Sequence, residues 1–242
     1  VNTTGASNAG FGRETLWSNT TGSDNVAVGL QALNRNTTAS YNTAVGKDAL
    51  YANTTGTHNV AVGYLALDVC TTGLGNTAVG SSNCLGSLTT GSNNSAFGRS
   101  GNGITTGDSN ISFGYDCLSG TTTGSQNVYI GQSNGDSGVT GDNNIAIGYH
   151  AGRSDSPSGT ITSASNQICL GNSSVTNTHI QVDWTVASDE RDKTDIKPIK
   201  MGLDFVNKLE PVTYKWDKRI KHAEDGDDLN NITHDGTHKE DW

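Results

Sequence analysis

The sequence is poor in the residues that build an ordinary globular core. Its 242 residues include one Met, three Pro and four Cys, and hydrophobic residues make up 32%, against roughly 45–50% in typical domains. That deficit argues against a conventional globule. Low hydrophobicity can also indicate disorder, but a strict period with β-branched residues at fixed places argues against that interpretation.

Other absences exclude classes of function. No basic patch is present, so nucleic-acid binding is not expected. No run of about 18 apolar residues is present, so membrane insertion is not expected. The sequence begins at Val1 with no charged-then-apolar leader. It therefore looks like a fragment or a processed product, and targeting signals are not assigned.

The four cysteines, Cys70, Cys84, Cys117 and Cys169, are widely spread and contain no Cys-x-x-Cys pair. Cys84 and Cys117 each precede a Leu, where other parts of the sequence have Ala-Leu. We therefore interpret them as small buried thiols in place of Ala, with a disulfide as the less favoured alternative. His150 and His179 stand alone and are interpreted as surface or packing residues, so no metal or cofactor site is predicted.

Glycine is abundant, and most of the 31 glycines belong to a repeat of about 17 residues. The repeat is written nine or ten times and has the core Asn-x-Ala-x-Gly. Its closing glycines are Gly12, Gly29, Gly46, Gly63, Gly80, Gly98, Gly114, Gly131 and Gly148. A fixed short period predicts a solenoid, because each unit stacks on its neighbour and has no core of its own. Such solenoids form shafts and adhesive heads more often than catalysts.

Each repeat has a Thr-Thr-Gly-type turn, a short strand around Asn-x-Ala-x-Gly, and a second short segment that often ends in Ala-Leu. We expect two short strands per coil. Side chains alternate along a strand, so Val26 and Val28 share one face and Asn25 and Ala27 the other. We expect the Val, Ile and Phe face to line a narrow core, and the Ala face to pack against another chain.

A coil of 17 residues encloses little surface, and assembly around a symmetry axis would bury more. We therefore predict a homotrimer. The Asn of every repeat is expected to stack into an amide ladder, as in other in-register β-stacks. About ten coils at ~4.8 Å spacing would make a rod on the order of 50 Å long.

Residues 1–172 resemble the head repeats of trimeric autotransporter adhesins, whose signature is also Asn-x-x-Ala-(Ile/Val)-Gly-like. The resemblance implies a trimeric parallel β-roll. The repeats here are about three residues longer than that family's usual coil, so the coil shape could differ.

The 17-residue spacing is interrupted after Gly148. Ser154 to Ser165 is a polar insertion, and the next copy ends at Gly171, 23 residues on. Residues 173–187 are predicted to form a neck, with an alternating strand at 178–184. Residues 188–242 are denser in charge, with 10 Lys+Arg and 14 Asp+Glu for a net −4, against 5 and 10 for a net −5 in residues 1–187.

The segment 188–242 predicts a small α+β module that is incomplete here. Pro198 favours a helix start, Pro211 ends the helix, and Val212, Tyr214 and Trp216 alternate as a strand. Two motifs, Ser188 to Ile196 and Leu209 to Trp216, resemble the start of the endosialidase-type intramolecular chaperone of phage tail fibres and tailspikes.

The resemblance implies that this module drives trimerisation of the preceding β-structure and then cuts itself off with a Ser–Lys dyad. The corresponding residues are Ser188 and Lys193, and the cleaved bond would be Ala187–Ser188. A Ser hydroxyl needs a base, and a Lys can serve when burial lowers its pKa. Asp192 stands where that family usually has an apolar residue.

The function predicted is therefore a structural and host-surface-binding segment of a phage tail fibre or spike. It would be made in the host cytoplasm, carried on the virion, and bound to other tail proteins and to a surface polysaccharide or other receptor. Any enzymatic activity would be at most autocatalytic. Rows of Thr, Asn and Ser are the surface that could bind carbohydrate, although the same residues also satisfy turns.

Three alternatives were weighed. A bacterial trimeric surface adhesin without peptidase activity would need a signal peptide and a membrane anchor. An ice-binding solenoid would show Thr-x-Thr on a flat face. A polysaccharide-cleaving spike would need two converging carboxylates, whereas the acidic residues of the repeats are scattered singly.

Overall fold

The computed structural model describes residues 2–120, 123–135 and 139–179. They form a parallel β-solenoid, as the repeat predicted, with ten strands in one sheet in sequential order. The strands are β1 Ala9–Phe11, β2 Val26–Val28, β3 Thr43–Val45, β4 Val60–Val62, β5 Thr77–Val79, β6 Ser95–Phe97, β7 Ile111–Phe113, β8 Val128–Ile130, β9 Ile145–Ile147 and β10 Ile168–Leu170. Each strand pairs in register with the next, so Ala27 lies opposite Ala44 and Ala44 opposite Ala61.

The prediction of two strands per coil was wrong for the described residues, because each coil has one three-residue strand. The Ala-Leu segment instead forms a turn in which the Leu takes a left-handed backbone, with φ of 50° at Leu33 and 49° at Leu50. The Leu33 amide still donates to the Ala49 carbonyl at 3.0 Å. The second segment therefore joins the inter-coil hydrogen bonding without being extended, and its Leu side chain is fully buried.

The assignment of the two strand faces was also wrong. Ala27, Ala44 and Ala61 are fully buried, whereas Val26 and Val28 are exposed. The interior is built from three close columns, namely the strand Ala, the turn Ala or Cys, and the turn Leu. Because the Leu already fills the middle of the coil, only a methyl group fits on the strand opposite it. The larger β-branched side chains therefore point outward.

The predicted Asn ladder is confirmed. Asn25, Asn42, Asn59 and their counterparts as far as Asn144 are fully buried. The Oδ1 of Asn42 accepts the backbone amide of Asn59 at 2.9 Å, and the Nδ2 of Asn42 donates to the Gly56 carbonyl at 2.9 Å. Each Asn thus satisfies backbone groups of a neighbouring coil and of a turn that would otherwise be buried without partners.

The closing glycines hold the coil where the strand ends. Gly29 has φ of +128°, and a Cβ placed there would lie 2.6 Å from the Gly46 carbonyl oxygen. This backbone and this close approach both exclude a side chain. The repeated glycine is therefore a requirement of coil-on-coil stacking.

The end of the stack follows the predicted interruption. The longer coil before β10 contains turns between Arg153 and Gly159, and Ile161 returns to the core. Residues 173–179 carry no strand, and the rest of the predicted neck and the module 188–242 lie outside the described residues. Nowhere in the described ranges is there a helix with the length and apolar character needed to cross a bilayer.

Candidate functional site

The residues predicted to carry chemistry are Ala187, Ser188 and Lys193. All three lie outside the described residues, so the dyad and the cleaved bond remain predictions from the sequence. The geometry available for function is therefore that of the repeat stack, which offers two features: a polar groove and an outward sheet face.

The first Thr of each Thr-Thr pair and the ladder Asn are used within the stack. The first Thr donates its hydroxyl to the next coil, as Thr37 does to the Thr54 carbonyl and Thr54 to the Thr71 carbonyl, both at 3.0 Å. The ladder Asn side chains are buried. The second Thr of each pair, such as Thr38 and Thr55, is exposed, but a row of hydroxyls on a convex turn does not enclose a ligand, so a carbohydrate pocket must be sought elsewhere on the surface.

A groove with a volume of about 270 Å³ lies across three coils on the turn side of the stack. It is lined by Gln31, Asp48, Tyr51, Leu65 and Asp68. It is slightly smaller than typical ligand pockets of roughly 300–1,000 Å³. The lining combines two carboxylates, an amide, an aromatic ring and an aliphatic side chain, which is the mixture that can contact one polyhydroxylated ring.

Neighbouring residues fix most of the groove's walls. The Gln31 amide donates to the Glu14 carboxylate at 2.7 Å, and Lys47 Nζ lies 3.4 Å from Asp48 Oδ2. The Arg35 guanidinium carbon lies 5.0 Å from the centroid of the Tyr51 ring, a cation–π distance.

Among the described residues, Asp68 has no such salt bridge, and its Oδ1 is buried without a hydrogen-bond partner. Burial, with the nearby Asp48 charge as a further cause, raises the pKa of Asp68 above its usual value. An incoming hydroxyl or ammonium group would give this oxygen a donor, and an ammonium group would also offset the repulsion from Asp48.

This pair of carboxylates was not predicted from the sequence. Asp48 and Asp68 are 20 residues apart, which is one coil of 17 plus three residues, and each appears as a single acidic residue at a turn. The coil period was the available signal: Asp48 aligns with Gln31 and Leu65, and Asp68 aligns with Tyr51. Reading the turns by column would have placed the two carboxylates side by side.

The cysteines are structural, as predicted for Cys84 and Cys117. All four are free and buried, and burial raises the pKa of Cys70 to about 11 and of Cys117 to about 12. No cluster of three or more His, Cys, Asp or Glu suited to a metal ion is found in the described ranges.

The histidine interpretation holds for His150, which packs locally. Its Nδ1 lies 3.0 Å from the Asp155 carboxylate, and its ring stacks on Tyr149 with centroids 3.8 Å apart. His179 is exposed.

The outward face of the sheet is the second feature. The third residue of every strand is apolar and points outward, and we call this column the outer stripe: Phe11, Val28, Val45, Val62, Val79, Phe97, Phe113, Ile130, Ile147 and Leu170. Their exposure is intermediate or higher at every coil. The strand face, which is the first and third residue of each strand, contains no charged residue.

Comparison with known proteins gives one match. Residues 188–238 match the family model described as chaperone of endosialidase, and the match begins at the predicted nucleophile Ser188. It covers less than half of the chain. No curated protein and no solved structure matches, so the resemblance of the repeats to adhesin heads receives no support from these comparisons. A β-solenoid followed by a segment similar to this chaperone suggests a phage tail-fibre-like protein.

Proposed function

We propose that this chain is a segment of a homotrimeric phage tail fibre or spike, in which the solenoid forms a shaft or head and the C-terminal module assembles it. The observation that carries the proposal is the order of the two parts: ten in-register coils lead into a segment similar to an endosialidase chaperone. Each coil contacts only its neighbours and cannot bury its apolar face alone, so several coils must stack before any of them is stable. A separate folding module answers that need.

We further propose that the module then releases itself. Lys193, as the neutral amine, would take the proton of the Ser188 hydroxyl while Oγ attacks the Ala187 carbonyl carbon. The peptide C–N bond breaks, the proton passes to the departing Ser188 nitrogen, and an Ala187 ester on Oγ is left. Water hydrolyses that ester and yields the Ala187 carboxylate and a free Ser188.

The denatured mass of the full-length gene product tests this proposal. The expected break is between Ala187 and Ser188, and Ser188→Ala and Lys193→Ala are each expected to remain intact. Thr194→Ala, which removes a neighbouring hydroxyl, is the matched control and should still be cleaved. An intact wild-type chain would remove the peptidase proposal and favour a trimeric surface adhesin head without peptidase activity.

The groove supports host-surface binding as a second part of the proposal. Its carboxylates accept hydrogen bonds and repel anions, so the ligand we propose is an uncharged or amino-bearing sugar of a surface polysaccharide. The net charge of −9 acts in the same direction at long range.

Titration calorimetry with three oligosaccharides tests this part: cationic glucosamine, neutral N-acetylglucosamine and anionic galacturonate. Binding of either of the first two, lost in Tyr51→Ala and weakened about tenfold in Asp48→Asn, is expected. The matched control is Asp116→Asn, which removes the same charge at the equivalent coil position outside the groove, beside Arg99. Preference for the galacturonate, or equal loss in the control, would overturn the assignment.

A further inference from the structure

The outer stripe is an apolar surface that a single chain leaves in water. Phe11 is 79% exposed, and Val28, Phe97, Ile130 and Ile147 are 36–40% exposed. Ten strands at ~4.8 Å spacing and three residues of ~3.3 Å give a strand face of roughly 43 by 10 Å, or about 430 Å². This face is apolar except for Thr43, Thr77 and Ser95, and apolar patches of roughly 300–600 Å² on monomers are often functional.

The period of the stripe identifies its partner. Its side chains recur at every coil, about 4.8 Å apart along the stack, and only a surface with the same spacing can interlock with it along its whole length. A second copy of this chain has that spacing. Because the chain carries a net charge of −9 and the strand face carries no charge, this face is also where two copies meet with the least repulsion.

We propose that the outer stripe is the surface through which copies of this chain associate, with the same stripe of each copy facing the centre of the assembly. The number of copies, three, rests on the proposed function, whereas the choice of face rests on the exposure pattern alone. The sequence favoured the Ala face of the strands as the contact between chains. In the structure this Ala column packs against the turn Ala and Leu columns of the same chain, so it is not available to a partner.

The stripe alone is smaller than the ~800 Å² per partner of a standard interface. Tyr64, Tyr115 and Tyr149 flank it, each directly after a closing glycine and each about half exposed. We include these three tyrosines in the contact. They add aromatic area of the kind that is enriched in the buried centres of interfaces.

A repeating stripe also leaves the register of the copies open. If one copy shifts along the stack by one coil, it presents nearly the same stripe to its partner, and only the contacts of one coil are lost. Phe97 and Phe113 interrupt this equivalence, because they stack with centroids 4.4 Å apart between runs of Val and Ile. We infer that this Phe pair within the outer stripe fixes how the copies align along the stack.

Native mass spectrometry of the full chain tests the face. The wild type is expected to be a trimer, Val62→Asp is expected to be predominantly monomeric, and Thr55→Asp, which places the same charge on an exposed turn, is expected to remain a trimer. A wild-type monomer would overturn the proposed trimeric function. A trimeric wild type with a trimeric Val62→Asp would overturn the face assignment and leave the trimer intact.

A conservative variant covers the case in which Val62→Asp fails to fold. Val62→Cys adds a thiol to a chain whose own four cysteines are buried and free, and the wild type on the same non-reducing gel gives the disulfide-linked background of those cysteines. Cross-linking well above that of Thr55→Cys is expected. Equal cross-linking at the two positions would contradict the proposal, whatever Val62→Asp does.

Discussion

The early and late coils have the same backbone conformation but different core side chains. In the turn column just before the Thr-Thr pair, the early coils have Asn19, Asn36 and Asn53, and each amide bonds to the one before it. At the next three coils the column is apolar, with Cys70, Leu88 and Ile104 fully buried. The fold accepts either chemistry, but each position must match its neighbours in the stack, because a side chain here contacts only the coils above and below.

The junction between the two halves shows the consequence of a mismatch. Asn53 Oδ1 is buried and has no hydrogen-bond partner in the part of the chain that the structure describes, because the next residue in the column is Cys70 and no longer an Asn. A second contrast concerns volume: the late coil at β8 has Tyr129 where the others have Gly, Ala, Ser or Cys, and Gly135 where most have Leu. Large and small residues have exchanged places within one layer of the core.

The largest expected effect comes from undoing that exchange. Tyr129→Ala removes a fully buried ring and should destabilise by about 3–5 kcal/mol. Gly135→Leu alone should also destabilise, because its Cβ would lie 2.6 Å from Tyr129 Cε1. The double variant should recover most of the loss, since Leu adopts the required φ at Leu33 and Leu50. Urea unfolding of the four proteins checks this, and a double variant no more stable than Tyr129→Ala would contradict it.

Exchanging polarity in the turn column should have the next largest effect. Asn36→Leu leaves the Asn19 oxygen and an Asn53 N–H without their partners, and Leu88→Asn places an amide beside Cys70 and Ile104. Each should cost about 2–4 kcal/mol. Leu88→Met, which conserves volume and polarity, should cost under about 1.5 kcal/mol. Equal urea midpoints for Leu88→Asn and Leu88→Met would contradict the expectation that residues in this column must match their neighbours in polarity.

A smaller gain is expected at the residue before each ladder Asn, which has a left-handed backbone. The late coils have Asn93 and Asn143 there, but also Gln126 with φ of 61°. Gln126→Asn should stabilise by about 0.5–1 kcal/mol, because Asn tolerates this backbone better. Tyr41→Asn should gain less, because Tyr41 stacks on His58 at 4.9 Å. Thermal unfolding measures both, and a lower melting temperature for Gln126→Asn would argue against strain.

The smallest expected effect is a difference in thiol reactivity between Cys169 in the last coil and the cysteines of the interior coils. At pH 8 the Cys70 and Cys117 thiols, with pKa raised by burial to about 11 and about 12, hold little reactive thiolate. At Cys169 burial also acts to raise the pKa, but hydrogen bonds from Ser158 and Ser156 outweigh it and lower the pKa. Cys169 should therefore react first with an aromatic disulfide reagent, as peptide mass mapping would show. Equal rates would contradict this.

Much of the stack was predictable from the sequence because its determinants are local and repeated. The period placed the ten strands, and the Asn before each strand placed the amide ladder, since every coil repeats the same backbone demand. The chaperone segment was identified from two short motifs, and the family match over residues 188–238 supports that part. The dyad of Ser188 and Lys193 stays a prediction.

The orientation of the strands was decided only by tertiary structure. Alternation in Val26-Ala27-Val28 defines two faces but does not say which is inside. That depends on how much room the turn Leu leaves in the coil, and Leu33, Leu50 and Leu67 fill it. The groove lined by Asp48 and Asp68 was missed because stacking brings together residues one coil and three positions apart, and this proximity is visible in the sequence only when the turns are aligned by the coil period. The sequence by itself determined the period and the ladder, and coil-on-coil packing decided which side chains are core and which are surface.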